Sequence, residues 1–128
     1  MKPLLVDTDI IIDCLRGYPD AVNFIANESR HIHLSVITEA ELFEGVREGK
    51  ERSELEAFLS LFPIHIVDRT IAKKGGLFRR SYKKSHGIGM ADALIGATSE
   101  MLNMRLATLN KKHYPMLGDV LVPYQKTK

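Results

Sequence analysis

A chain of 128 residues, 45% hydrophobic and 27% charged, is sized and composed for one globular domain with a real core and is too short for two. Its single cysteine, Cys14, has no partner for an internal disulfide and suits a reducing, cytoplasmic setting as a small buried thiol. Asp7, Asp9 and Asp13 interrupt the one greasy N-terminal stretch, so no membrane span is expected, and the opening "MKPLLVD" lacks a signal-peptide pattern. The expectation is a single domain over residues 1–128.

In chain order, the apolar run Leu4-Leu5-Val6 predicts a first strand, followed by helical patterns over Ile10–Leu15 and Ala21–Asn27. His31–Ser35 predicts the second strand, and Val36–Arg47 and Arg52–Leu61 predict the next two helices. Ile64–Val67 predicts a third strand. In the helix expected over Ile71–Tyr82, Ile71, Gly75, Phe78 and Tyr82 keep 4-3-4 spacing. Ala91–Leu102 repeats the pattern, Arg105–Thr108 predicts a fourth strand, and Val120–Val122 an edge strand stopped by Pro123. Strands alternating with helices argue for an α/β fold, a three-layer α/β/α sandwich around a mostly parallel five-stranded sheet.

In such sheets, sites lie beyond the carboxyl ends of the strands, where the next helices begin. Asp7 falls where the first strand ends. Asp9, at the start of the following helix, reads equally as a plain N-cap. In "SVITEAELFEGV", Ser35 is expected to cap the helix, which puts Glu41 in its second turn; a capping box Thr38-x-x-Glu41 is the other reading. Glu39, Glu44 and Glu48 fit a solvated face. In "GIGMADALIGA", Asp92 opens a helix and complements its dipole or joins the same rim. Asp68, after "IHIV", is expected to be a helix N-cap.

Carboxylates converging on one rim repel by about 4 kcal/mol per close pair at 4 Å and an effective dielectric near 20. Such a cluster titrates abnormally or holds a hard divalent cation. His31 and His33 alternate along a strand and His65, His86 and His113 are scattered, so no zinc set is expected. Oxygen ligands alone favour Mg²⁺, with Mn²⁺ as the alternative, the chemistry of phosphodiester hydrolysis. Charge is asymmetric: seven acids lie between Glu39 and Glu56, whereas Arg69 to Ala91 carries no acid and seven bases. That basic stretch reads as a solvated helix face or as a surface for a polyanion.

Four segments, "LLVDTDIIIDCLRG", "LSVITEAELFEGV", "GIGMADALIGATS" and "LATLNKKHYP", resemble the signature blocks of PIN-domain ribonucleases, most closely the VapC-type toxins of toxin–antitoxin pairs. The resemblance runs in order from about residue 3 to residue 116. It implies that Asp7, Glu41 and Asp92 are catalytic and hold the metal, with Asp9 a secondary ligand. The fourth ligand position falls on Asn110, whose amide brings an oxygen but no charge. Thr8 and Thr108 would support the site, Thr108 through its hydroxyl. It further implies Mg²⁺-dependent endonucleolytic cleavage of RNA that inhibits translation, a homodimer, and a VapB-like antitoxin whose tail enters the acidic groove. Lys73, Lys74, Arg79, Arg80, Lys83, Lys84, Lys111 and Lys112 would steer RNA by counterion release.

Other readings fit less of the chain. "DTDII" is similar to the nucleophile of haloacid-dehalogenase-like phosphatases, but Ile11 stands where those want Thr or Val. A phospho-receiver domain would use Asp68 and leave Glu41 and Asp92 without a role. An RNA-processing nuclease without an antitoxin, or a PIN scaffold of weak activity, is kept open by Asn110.

Overall fold

The computed structural model describes residues 2–126. Five strands form one sheet: β1 (Leu4–Val6), β2 (Ile32–Ser35), β3 (Ile64–His65), β4 (Arg105–Ala107) and β5 (Val120–Leu121). Their order is β3-β2-β1-β4-β5 and every pairing is parallel, so the sheet is wholly rather than mostly parallel. Six helices connect them: α1 (Thr8–Leu15), α2 (Pro19–Asn27), α3 (Val36–Glu44), α4 (Lys50–Leu59), α5 (Arg69–His86) and α6 (Met90–Met101).

The pleat sorts the core into two layers. Leu4 and Val6 point into a cluster with Ile10, Ile11, Ile25, Leu42, Leu55 and Leu59, which draws α1 to α4 onto one face. Leu5 points the other way, against Ile95, Leu106 and Tyr114. α5 lies against α6, where Gly75 permits the approach: a Cβ there would stand 2.6 Å from the Leu94 Cδ2. Several boundaries differ from expectation: α1 and α2 start two residues early, α4 is shifted by two, β3 stops at His65 short of Val67, and two helix ends move further. α3 stops at Gly45 instead of running to Arg47, and α5 continues a turn beyond Tyr82. That last turn is polar and invisible to apolar periodicity. It is held by Lys83, Lys84 and His86 against the helix dipole and by Gly87, whose φ of +62° closes the helix in the left-handed region.

The strand order reverses direction between β1 and β4, the place where an open parallel sheet leaves a crevice. Asp7 N–H donates to the Ala107 carbonyl at 2.9 Å and Thr108 N–H to the Leu121 carbonyl at 3.0 Å, which brings both residues to that point. Among the described residues no helix is long and apolar enough to cross a membrane.

Candidate active site at the carboxyl ends of β1 and β4

Asp7, not Asp9, is the N-cap of α1: its Oδ1 accepts from the Thr8 N–H at 2.8 Å, and Asp9 lies in the first turn. β1 ends at Val6 as expected, but α1 begins at Thr8, two residues before the expected Ile10, so the capping role falls on the more buried acid, 6% exposed. The Oδ2 of Asp7 accepts from the Thr108 hydroxyl at 2.7 Å and from the Tyr114 hydroxyl at 2.9 Å. Asp9 accepts from the Leu109 N–H at 3.0 Å, with the Thr108 hydroxyl at 3.4 Å. Thr108 itself accepts from the Asn110 N–H at 3.0 Å. The turn after β4 thus grips both acids of α1.

The other two acids join the same network through hydroxyls. Ser35 caps α3 as expected, its hydroxyl accepting from the Ile37 N–H. Glu41 therefore sits in the second turn and the capping-box reading of Thr38 does not hold. Glu41 Oε1 accepts from the Thr8 hydroxyl at 2.6 Å, with the buried Thr38 hydroxyl 3.0 Å from that of Thr8. Asp92, in the first turn of α6, has its Oδ1 3.3 Å from the Tyr114 hydroxyl and its Oδ2 3.1 Å from His113 Nδ1. Asn110 has its amide nitrogen 2.8 Å from the same His113 nitrogen, which accepts from that amide or, when protonated, donates to Asp92. Asp68 is an N-cap, accepting from the Ile71 N–H, and belongs to α5 alone.

Burial, with the charge of Asp9 next, pushes the Asp7 carboxyl up to about 7 against the hydrogen bonds from Thr108, Tyr114 and Thr8. Burial likewise raises Asp9. Burial and the charges of Asp7 and Asp92 drive Tyr114 far above the ordinary phenol range, so it remains a donor. Among the described residues no three His, Cys, Asp or Glu side chains are gathered at metal-ligand spacing. Hydroxyls of Thr108 and Tyr114 lie between Asp7, Asp9 and Asp92 instead, and Glu41 reaches the set through Thr8, which donates its hydroxyl to Glu41 and its N–H to Asp7. The chemistry of the set nonetheless fits a hard cation: the converging donors are carboxylate oxygens, and a carboxyl raised by burial is one that a cation would favour in its charged form.

His113 and Tyr114 are the functional residues that sequence reasoning missed. Both stand inside "LATLNKKHYP", one short 3₁₀ turn (Lys111–His113) past Asn110. A tyrosine buried to 1% with its ring in the core needs a partner for its hydroxyl, which was the available signal. His33, expected along a strand, and His65, read as scattered, meet across β2 and β3 with ring nitrogens 2.8 Å apart. Of the basic residues, Lys73, Arg80, Lys83 and Lys84 are exposed on α5, Lys74 bridges to Glu100 at 3.6 Å, and Arg79 is half-buried. Lys111 and Lys112 are exposed beside Asn110. A groove of about 880 Å³ opens next to Glu41, floored by Ile12, Leu42, Val46 and Leu55 and rimmed by both signs of charge, among them Glu48, Glu51, Arg47 and Lys50.

Comparison with known proteins places this arrangement. The family model described as PIN domain matches residues 4–116. Ribonuclease VapC19 of Mycobacterium tuberculosis is 41% identical over 124 residues, covering 94% of this chain and 98% of that protein. Ribonuclease VapC10 of the same species is 36% identical over 124 residues, covering 94% and 92%. Among solved structures, a toxin–antitoxin complex from Klebsiella pneumoniae superposes with a TM-score of 0.84 at 28% identity, over 96% of this chain and 99% of that one.

Proposed function

The chain belongs to the PIN-domain family, in its VapC-type branch, and on that premise we propose that it is a divalent-metal-dependent endoribonuclease, the toxin of a toxin–antitoxin pair. The observation that carries the reading is the Tyr114 hydroxyl lying between Asp7 and Asp92 at 2.9 and 3.3 Å, which joins acids from opposite ends of the chain at the sheet's crevice. Asp7, Asp92 and Glu41 would hold Mg²⁺ or Mn²⁺, with Asp9 and Asn110 as further oxygen donors. When bound, the cation supplies activation of water and neutralisation of charge at the scissile phosphate.

The chain's own residues supply position. Thr8 fixes Glu41, Thr108 aligns Asp7 with Asp9, and His113 holds Asp92 and Asn110. Lys111 and Lys112 sit where the phosphates flanking the cut would run, and Lys73, Arg80, Lys83 and Lys84 on α5 extend a basic track for RNA. The apolar floor and mixed-charge rim of the groove beside Glu41 suit an amphipathic segment of a VapB-like antitoxin, which would thereby cover the site. A homodimer is part of the same proposal.

The test is cleavage of structured RNA by purified protein with Mg²⁺, compared with Asp7→Asn, Glu41→Gln and Asp92→Asn. Cutting by the wild type alone supports the proposal. Equal cutting by wild type and variants would show a contaminant and end the enzymatic reading. A folded, metal-binding protein that leaves every RNA intact would be a scaffold.

A further inference from the structure

We propose that Tyr114 is a positioning residue for the cation site: its hydroxyl fixes Asp7 beside Asp92 and decides which Asp7 oxygen is left for the metal. The inference rests on the nuclease reading above. It follows from counting lone pairs. A carboxylate offers about four acceptor positions on its two oxygens. On Asp7, Oδ1 takes one bond, from Thr8 N–H, whereas Oδ2 takes two, from Thr108 and Tyr114. Oδ2 is therefore filled, and the open position is on Oδ1. Without the Tyr114 hydroxyl, Oδ2 would regain an open position and the carboxylate would have two ways to meet a cation.

The phenol is built to be immobile. Its ring is buried to 1% among Leu5, Ile95 and Leu106, and it lies against Gly96 of α6, where a Cβ would stand 3.4 Å from the ring. Its backbone is tied down at both groups: the N–H donates to the Lys111 carbonyl at 2.9 Å, and the carbonyl accepts from the Leu117 N–H at 3.1 Å. The side chain that touches both acids is thus fixed by the same helix that carries Asp92. The phenol oxygen carries one proton and lies nearer Asp7, so it serves as donor to Asp7 and close neighbour to Asp92. Groups that orient metal ligands from behind cost about 10- to 100-fold in metal affinity when removed.

The experiment compares wild type, Tyr114→Phe and Met116→Ala, each first stripped with EDTA and then titrated with MnCl₂ while thermal unfolding is followed. Tyr114→Phe keeps the ring and deletes the hydroxyl; Met116→Ala loosens the packing around the ring and keeps it. The expected result is a Mn²⁺ midpoint raised about 10- to 100-fold in Tyr114→Phe, with Met116→Ala melting lower but titrating at the wild-type midpoint. RNA cleavage at saturating Mn²⁺ should then return Tyr114→Phe close to the wild-type kcat and KM. A Tyr114→Phe midpoint equal to wild type overturns the inference, and so does normal Mn²⁺ binding with lost kcat, which would place the hydroxyl on the RNA. If the wild type neither responds to Mn²⁺ nor cuts RNA, the nuclease reading itself fails and the inference falls with it.

Discussion

Replacing Asp7 by Asn should make the metal-free protein more stable, and the gain should grow with pH. Asp7 is 6% exposed and its carboxyl is pushed up to about 7, from 3.8, chiefly by burial. A folded-state value above the unfolded one means that the folded protein binds the extra proton. Stability from Asp7 is therefore full below about pH 3.8 and is lost as pH rises to about 7, after which the loss is constant. A shift of about 3 units at 1.36 kcal/mol each puts that loss on the order of 4 kcal/mol above pH 7. At pH 5 only the unfolded chain has ionised, and the loss is about 2 kcal/mol.

Asn at position 7 is neutral at every pH and is as good an N-cap as Asp, so the bond from Thr8 N–H survives, while its NH₂ group donates to the Thr108 and Tyr114 hydroxyls, whose protons turn to Asp9 and Asp92. Thermal unfolding in EDTA should show Asp7→Asn melting about 10 °C or more above wild type at pH 8, with the margin shrinking by about half at pH 5. Added Mg²⁺ should narrow the gap at pH 8 by stabilising only the wild type. A variant that melts at or below wild type at pH 8 in EDTA would refute the reasoning, because the buried acid would then carry no penalty.

Four further outcomes test other parts of the structure. Asp92→Asn and Glu41→Gln, each removing a charge worth several kcal/mol to a bound cation, should lower kcat/KM for RNA by about a hundredfold or more while far-UV circular dichroism is unchanged. Gly75→Ala should lower the melting temperature, since its Cβ would meet Leu94 Cδ2 at 2.6 Å and Leu94 Cα at 3.3 Å, an overpacking of about 1–3 kcal/mol in denaturant titration. Tyr124→Phe removes a 2.8 Å donor from the buried Asp13 and should cost about 1.5–3 kcal/mol by the same measurement. Lys83→Ala and Lys84→Ala should each flatten the salt dependence of RNA binding by about 0.7 to 1 in slope, without changing which sequence is cut.

The fold was largely legible because its strongest signals are local. Apolar triplets such as Leu4-Leu5-Val6 marked the strands, and alternation with helical stretches forced a parallel sheet. Ser35 and Asp68 were identified as caps, and both are. The boundaries that moved were those where apolar pattern and backbone preference part company. The last turn of α5 is polar, and α3 ends at Gly45 although Val46 continues the apolar pattern. Of the site, Asp7, Glu41 and Asp92 could each be placed on one rim, because the topology fixes which ends of the strands and helices face together.

What could not be read from spacing was who holds the acids. Whether Asp7 or Asp9 caps α1 depends on the residue at which the helix begins, and a start two residues earlier exchanges the half-buried acid for the buried one. Tyr114 poses the same problem in a stronger form. It lies in an irregular segment with no period, and its importance comes from a ring anchored on α6 and a hydroxyl reaching the N-terminus of α1. Acids on a rim are common to many helix starts, whereas a buried phenol that donates to one of them and lies beside another does what a phenylalanine in the same core position could not. Wherever a core aromatic next to an acidic rim carries a hydroxyl, the hydroxyl is the part to test.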